Sequence, residues 1–283
     1  MGSRNQIRLR ESGGRAWRAA DVSQAELARL IGDPEAVLWK YLDRPVKISH
    51  TSLMVRAELT IEGEVVSVAY KQFRPRNWWK SLCWWFRRSP ARKCWTIGRL
   101  LNTNRIATPR PLAVLEPGGS WFCRRAYLVT EWIAGAENLH LYGWRLTAQP
   151  IHRRLRSAAR CAESLGRLVG RMHARRIVNR DLKGANLLVV ESGSRTETFL
   201  VDVAGVRLAR RLSRRRRAGD LARLAAGLEA HPWVTRSICA RFLRAYAGQL
   251  PAGTIDRKRL WREVAARSRR IVEYKRRRRQ QVL

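Results

Sequence analysis

The sequence predicts an α+β fold in two lobes, a small N-lobe built on an antiparallel β-sheet and a mainly helical C-lobe. Three observations carry that expectation. Val65-Val-Ser-Val68-Ala69-Tyr70-Lys71-Gln-Phe73 alternates apolar and polar residues, as a half-buried strand does. About a hundred residues later a polar loop, Ile177-Val-Asn-Arg-Asp181-Leu-Lys183-Gly-Ala-Asn186, runs directly into the apolar, β-branched Leu187-Leu-Val-Val190. Between the two, Ser157 to His173 sets Ala, Leu and Val at helical spacing. At 283 residues and 45% hydrophobic content the chain can bury a full core without disulfides.

Taken in order, residues 1–44 read as a polar extension with a short amphipathic helix near Gln24 to Ile31 and another near Glu35 to Leu42, after Asp33-Pro34. Residues 45–130 form the small lobe. Arg125-Ala-Tyr127-Leu-Val-Thr130-Glu131-Trp132-Ile133 reads as a strand running into a connector between lobes. Residues 131–283 form the helical lobe, with a helix ending near His173, the polar loop, and a second strand, Phe199-Leu-Val-Asp202. His173 reads as a structural hydrogen-bonding residue. Asp220 is expected to open the next helix and to support the polar loop's backbone, with a plain N-cap as the alternative. Lys275-Arg-Arg-Arg-Arg279 closes the chain as a solvated basic tail.

The polar loop has the residue types that phosphoryl transfer needs. A carboxylate must orient and deprotonate the attacking hydroxyl, a cation must lie near the moving charge, and hard oxygen ligands must hold Mg²⁺. Asp181 fits the base, Lys183 the cation, and Asn186 with Asp202 the metal ligands. The alternative is an ordinary loop in which Asp181 caps and Lys183 is solvated. Val68-Ala-Tyr-Lys71 stands where protein kinases carry Val-Ala-Ile-Lys, which makes Lys71 the partner of the α- and β-phosphates of ATP rather than a solvated lysine on an edge strand. Glu131 lies in the connector, where backbone groups meet adenine. No Gly-x-Gly-x-x-Gly precedes Lys71, so the loop Ser49-His-Thr51-Ser52 is the candidate phosphate cover.

Taken together, Val68-Ala-Tyr-Lys71-Gln-Phe73-Arg, the run Ser89-Pro-Ala-Arg-Lys-Cys-Trp95, the turn Ile106-Ala-Thr108-Pro109-Arg-Pro111 and Ala218-Gly-Asp220-Leu-Ala-Arg-Leu224 resemble the lipopolysaccharide core kinase family, the Kdo and heptose kinases of the protein-kinase-like superfamily. The resemblance covers roughly residues 45–230. It implies the two-lobed protein-kinase-like fold, ATP with Mg²⁺, and a sugar hydroxyl of an anionic glycolipid or lipopolysaccharide core as acceptor. The chain departs from the pattern in three places. Cys94 precedes Trp95 where the family has the Glu that pairs with the strand lysine, Asn179 replaces the usual loop histidine, and Val203-Ala204-Gly205 follows Asp202 in place of Phe-Gly.

Charge points to the partner. With 58 Lys plus Arg against 22 Asp plus Glu, the net charge of +36 calls for a polyanion, either an anionic membrane or a nucleic acid. Trp78, Trp79, Trp84 and Trp85 interleave with Arg and Lys between Arg74 and Arg88, a combination suited to a bilayer interface. Packing within the small lobe and stacking on unpaired bases are the alternatives. Arg214-Arg-Arg-Arg217 offers bidentate contacts to a phosphate-rich glycan. The stretch from Asp202 to Asp220 is short for a peptide-binding activation segment, and no Ala-Pro-Glu follows. The five cysteines form no CxxC pair, and no apolar run approaches 18 residues. A cytoplasmic enzyme, peripheral on the inner membrane, is the expectation. A protein kinase, an RNA-associated kinase-like protein and a pseudokinase are the competing readings.

Overall fold

The computed structural model describes residues 7–9, 14–61, 63–77, 79, 84, 88–118 and 125–280. The chain divides into two units: residues 1–102 with 109–133, and residues 103–108 with 134–283.

The first unit holds a seven-stranded sheet in the order β1-β2-β6-β7-β5-β4-β3. Its strands are β1 (Ile7–Leu9), β2 (Arg15–Arg18), β3 (Pro45–Ser49), β4 (Ser52–Ile61), β5 (Glu64–Phe73), β6 (Pro111–Glu116) and β7 (Ala126–Glu131), all paired antiparallel. Alternation explains β4, where Val55, Ala57, Leu59 and Ile61 point inward and Arg56, Glu58 and Thr60 outward. Residues 1–44, expected as an extension, lie within this unit. Helix α1 (Gln24–Gly32) starts where the Ser23 hydroxyl accepts the Glu26 N–H, and α2 (Ala36–Lys40) follows. Leu27, Leu30, Ile31, Val37 and Leu38 share one buried cluster with Val55, Leu59, Val68 and Tyr70. The i, i+3, i+4 stripe that does this is diluted in the sequence by Glu26, Arg29 and Asp33. Helix α3 (Pro90–Thr103) lies close to β6 at Gly98, where a Cβ would sit 2.6 Å from the Pro111 ring.

The second unit is mainly helical: α4 (Leu139–Thr147), α5 (Ile151–Ala174), α6 (Arg214–Gly227), α7 (Arg236–Ala247) and α8 (Arg257–Gln280). Two small antiparallel sheets accompany the helices. In one, β10 (Leu187–Ser192) lies between β11 (Arg195–Leu200) and β8 (Glu137–Asn138); in the other, β9 (Ile177–Asn179) pairs with β12 (Val206–Leu208). Asp220 does not open a helix, contrary to expectation. Helix α6 begins at Arg214, capped by the Ser213 hydroxyl, so Asp220 sits mid-helix and buried. Four consecutive arginines give that first turn no apolar signal to read. Helix α5 likewise starts at Ile151, before Ser157, because its exposed N-terminal turns are rich in arginine.

Helices α5 and α7 approach closely at two glycines. A Cβ on Gly166 would lie 2.4 Å from the Phe242 carbonyl oxygen, and one on Gly170 would lie 2.7 Å from that of Tyr246. Backbone cannot move aside as a flexible side chain can, so the helices must part. Gly166→Ala is therefore expected to cost about 1–3 kcal/mol, even though alanine is the better helix former. A urea titration checks this: the midpoint falls with m unchanged. The helices of this unit also border a half-open, mostly apolar pocket of about 340 Å³, lined by residues that include Leu165, Leu224, Trp233, Phe242 and Trp261.

Candidate active site

The expected catalytic loop is held at both ends by strands. Asn179 ends β9 opposite Val206, and Leu187 begins β10 opposite Leu200 of β11. Between them the loop closes on itself. Asn179 Oδ1 accepts the Asp181 N–H at 2.9 Å, while Asn186 Nδ2 donates to the Asp181 carbonyl at 3.0 Å and to its carboxylate at 2.8 Å. Asn186 is delivered by the 3₁₀ turn Gly184–Asn186 and is 3% exposed. The Lys183 ammonium lies 2.9 Å from Asp181 Oδ2, with both side chains about half exposed. The spacing in sequence thus becomes convergence in space: the Lys183 ammonium and the Asn186 carboxamide meet at the Asp181 carboxylate.

Asp202 follows the end of β11 by two residues. Its neighbour Val201 donates its N–H to the Asn186 carbonyl at 2.9 Å, which places Asp202 one residue beyond that contact. Asp202 adopts φ 55° and ψ 62°, a left-handed conformation that costs a non-glycine residue roughly 1–2 kcal/mol. Gly205 is required nearby, since a Cβ there would meet Asn179 Oδ1 at 2.8 Å and the Asp181 N at 3.2 Å. Both amide protons of Asn186 point at Asp181, so its Oδ1 is free to act as a ligand. That oxygen and the Asp202 carboxylate are hard donors of the kind Mg²⁺ takes. Among the described residues no group of three His, Cys, Asp or Glu could hold a metal. Two protein oxygens of this kind suit an ion completed by phosphate oxygens and water.

Beneath the loop lies a buried polar network centred on Asp220. Its Oδ2 accepts the Asn179 N–H at 3.0 Å and faces His173 Nε2 at 3.3 Å; Arg223 donates to Oδ1. The expected support of the loop backbone is thus present, as is the structural role of His173. Burial holds the His173 imidazole below its usual pKa; Asp220 opposes that shift and Arg217 reinforces it. Burial also pushes the Tyr246 hydroxyl up to about 12, so it keeps its proton. A carboxylate only accepts, which fixes the tautomer: Nε2–H faces Asp220 and Nδ1 accepts from Tyr246 at 2.8 Å.

The expected nucleotide residues lie in the first unit. Lys71 sits on β5 opposite Leu128 of β7 and Met54 of β4, its ammonium 4.9 Å from the Phe73 ring centroid. Helix α3 carries no acidic residue and buries Cys94 and Trp95, so it offers Lys71 no carboxylate. Ser49 and Ser52 close the β3–β4 hairpin on each other: the hydroxyls are 2.9 Å apart, and Ser49 Oγ accepts the Ser52 N–H at 3.0 Å. Thr51 is exposed at the tip. Glu131 donates its N–H to the Arg110 carbonyl at 2.9 Å and pairs its carboxylate with the Arg110 guanidinium at 2.6 Å. Of the four tryptophans, Trp78 and Trp85 lie outside the described residues, whereas Trp79 is 59% exposed and Trp84 partly buried.

Sequence reasoning missed one feature beside the loop. His140 lies in the first turn of α4, and its ring faces Gly184, where a Cβ would lie 2.7 Å from His140 Nε2. His140 Nδ1 is 3.0 Å from Nε2 of His231, a buried residue far away in sequence. Burial lowers the pKa of both rings, so the pair is neutral near pH 7. No sequence signal marks them, because each is a lone histidine in its own segment.

The model of a family described as Lipopolysaccharide kinase (Kdo/WaaP) family matches residues 68–246, more than half of the chain. No curated protein matches it. Among solved structures the chain is similar to "WaaP in complex with acyl carrier protein", with a TM-score of 0.58 and 21% identity over 89% of this chain and 97% of that one. At that identity the likeness is one of fold.

Proposed function

Since the chain belongs to the lipopolysaccharide kinase (Kdo/WaaP) family, and so is a phosphotransferase with a protein-kinase-like α+β fold, we propose that it transfers the γ-phosphoryl group of ATP to a sugar hydroxyl of a lipopolysaccharide core or related glycolipid at the inner membrane surface. The convergence of Asn186, Lys183 and the loop backbone on Asp181 is the observation that carries this reading. Asp181 orients the acceptor hydroxyl and takes its proton. Lys183, 2.9 Å from that carboxylate, lies beside the charge that develops on the moving phosphoryl group. Asn186 and Asp202 would hold Mg²⁺, which when bound offsets charge on the phosphate oxygens. Lys71 meets the α- and β-phosphates, the hairpin tip at Ser49, Thr51 and Ser52 covers them through its amides and the Thr51 hydroxyl, and the connector at Glu131 borders the base.

The acceptor class follows from charge. A +36 chain gains from a phosphate-rich glycan on an anionic surface, and Trp79 and Trp84, with Trp78 and Trp85, supply interfacial rings. We place the enzyme on the cytoplasmic side, peripheral to the inner membrane. The test is transfer of labelled γ-phosphate from ATP, with Mg²⁺, to a total bacterial membrane lipid extract. Label is expected in the lipopolysaccharide fraction. Label in protein or RNA instead, or no label anywhere, would overturn the assignment.

A further inference from the structure

The strand that leaves the active site and the helix beside it are tied together at one residue. Asn138 pairs with Leu188, two residues beyond Asn186, and its side-chain oxygen caps α4 by accepting the N–H groups of His140 at 3.0 Å and Leu141 at 3.1 Å. The backbone of His140 is therefore anchored to the exit of the catalytic loop. Its ring is anchored separately. Nδ1 meets His231 Nε2 at 3.0 Å, and the two rings lie within 23° of parallel at 5.3 Å. His231 is held in turn between Trp144, 4.7 Å away by ring centroids, and Trp233 at 5.8 Å. Gly143 leaves no slack behind it, since a Cβ there would meet Trp233 Nε1 at 2.7 Å and His231 Nδ1 at 2.8 Å.

The free edge of the His140 ring abuts Gly184: a Cβ on that glycine would lie 2.7, 2.9 and 3.1 Å from its Nε2, Cε1 and Cδ2 atoms. Gly184 is the first residue of the turn that delivers Asn186, and Asn186 in turn donates to the Asp181 carboxylate. We propose that the His140–His231 pair is a clamp that sets the position of the catalytic loop through Gly184, and that both histidines are positioning residues for Asp181 and Asn186. The hydrogen bond between the rings does the work that stacking alone does not. A ring pressed on a glycine can slide, whereas one with a nitrogen bonded to a fixed, buried partner has a single seat. His231 Nδ1 is buried without a hydrogen-bond partner among the described residues. A bare lone pair is the form that suits such a position, so His231 donates from Nε2 and His140 accepts at Nδ1, presenting Nε2–H to the loop.

This inference rests on the phosphotransfer reading of the loop, and the experiment separates the two. Transfer is measured for the wild type, His140→Ala, His231→Phe and His231→Gln, with a urea midpoint for each. His140→Ala and His231→Phe are expected to lose about tenfold in kcat, below the ~100-fold that a 1 Å misplacement costs, with the KM for ATP within about twofold. His231→Gln, whose amide can donate to His140 Nδ1, is expected to recover most of that loss. Phe fills the space without the bond, so the Phe-against-Gln contrast isolates the bond and still decides the matter if His140→Ala does not fold. Unchanged kcat in His231→Phe, or equal losses in Phe and Gln that follow the urea midpoint, would overturn the clamp. Should the wild type transfer nothing, the functional reading fails instead. The clamp is then decided by backbone amide NMR: shifts at Gly184 and Asn186 in His231→Phe that His231→Gln lacks support it, and no shift in either overturns it.

Discussion

Asp181→Asn is expected to lower phosphoryl transfer by roughly 10²- to 10⁴-fold, the usual contribution of a positioned general base. It should do so while leaving the fold intact. The Asp181 side chain is about half exposed, and its ion pair with Lys183 is an exposed one, worth at most about 1 kcal/mol. The backbone contacts that shape the loop, from Asn179 Oδ1 to the Asp181 N–H and from Asn186 Nδ2 to the Asp181 carbonyl, do not involve the carboxylate. An asparagine side chain can still accept from Asn186. Measured together, kcat should collapse while the urea midpoint stays within error. Full activity in Asp181→Asn would remove it from the site, and a collapse of both quantities would make it a structural residue.

Asp220→Ala is expected to do the opposite: a large loss of stability first, with activity lost as a consequence. Asp220 is 3% exposed and accepts from the Asn179 N–H, His173 and Arg223. Removing it strands the Asn179 N–H and the His173 ring N–H at roughly 1–3 kcal/mol each and leaves the Arg223 guanidinium without its carboxylate partner. A total near 3–5 kcal/mol is the scale for breaking a buried charged network. The same network has a pH signature. The native pKa of His173 is held below its unfolded value, so under mild acid the unfolded chain binds the proton that the native state refuses. Stability from this group is complete above the ordinary histidine pKa of about 6.5. It declines below that by up to about 1.4 kcal/mol per pH unit until the native ring also protonates. Asp220 is the one group favouring the protonated ring, so in Asp220→Ala the decline should extend to lower pH. Urea midpoints from pH 8 to pH 5 test both statements; a flat profile in the wild type would contradict the burial of a neutral His173.

The candidate site's local geometry was legible because most of its parts are close along the chain. Asp181, Lys183, Asn186 and Asp202 lie on one loop and the strand pair that follows it, so local offsets carry the geometry. The strand that carries Lys71 was legible through its alternation. The limits appear where a residue's meaning depends on something distant. Asp220 could be matched to loop support, but its helix start could not be found, because Arg214 to Arg217 show no apolar period and the cap is Ser213. The first 44 residues looked peripheral because their polar positions outweigh the stripe Leu27, Leu30, Ile31, which has meaning only against β4 and β5. Ser49 and Ser52 were read as hydroxyls available to phosphate, whereas the hairpin they close engages them with each other.

By itself the sequence determined the α+β class, the likeness to the lipopolysaccharide kinase family, the residue types of the loop, and a net charge of +36. Each of these depends on residue type and short spacing. Tertiary structure alone decided which polar groups are buried, and hence that Asp220 supports the loop from the middle of a helix, 3% exposed, rather than from its start. It also decided that His140 meets His231 at 3.0 Å beside Gly184. The reason is physical: burial and hydrogen bonding are properties of what surrounds a side chain, and in a folded chain most of those surroundings come from segments far away in sequence.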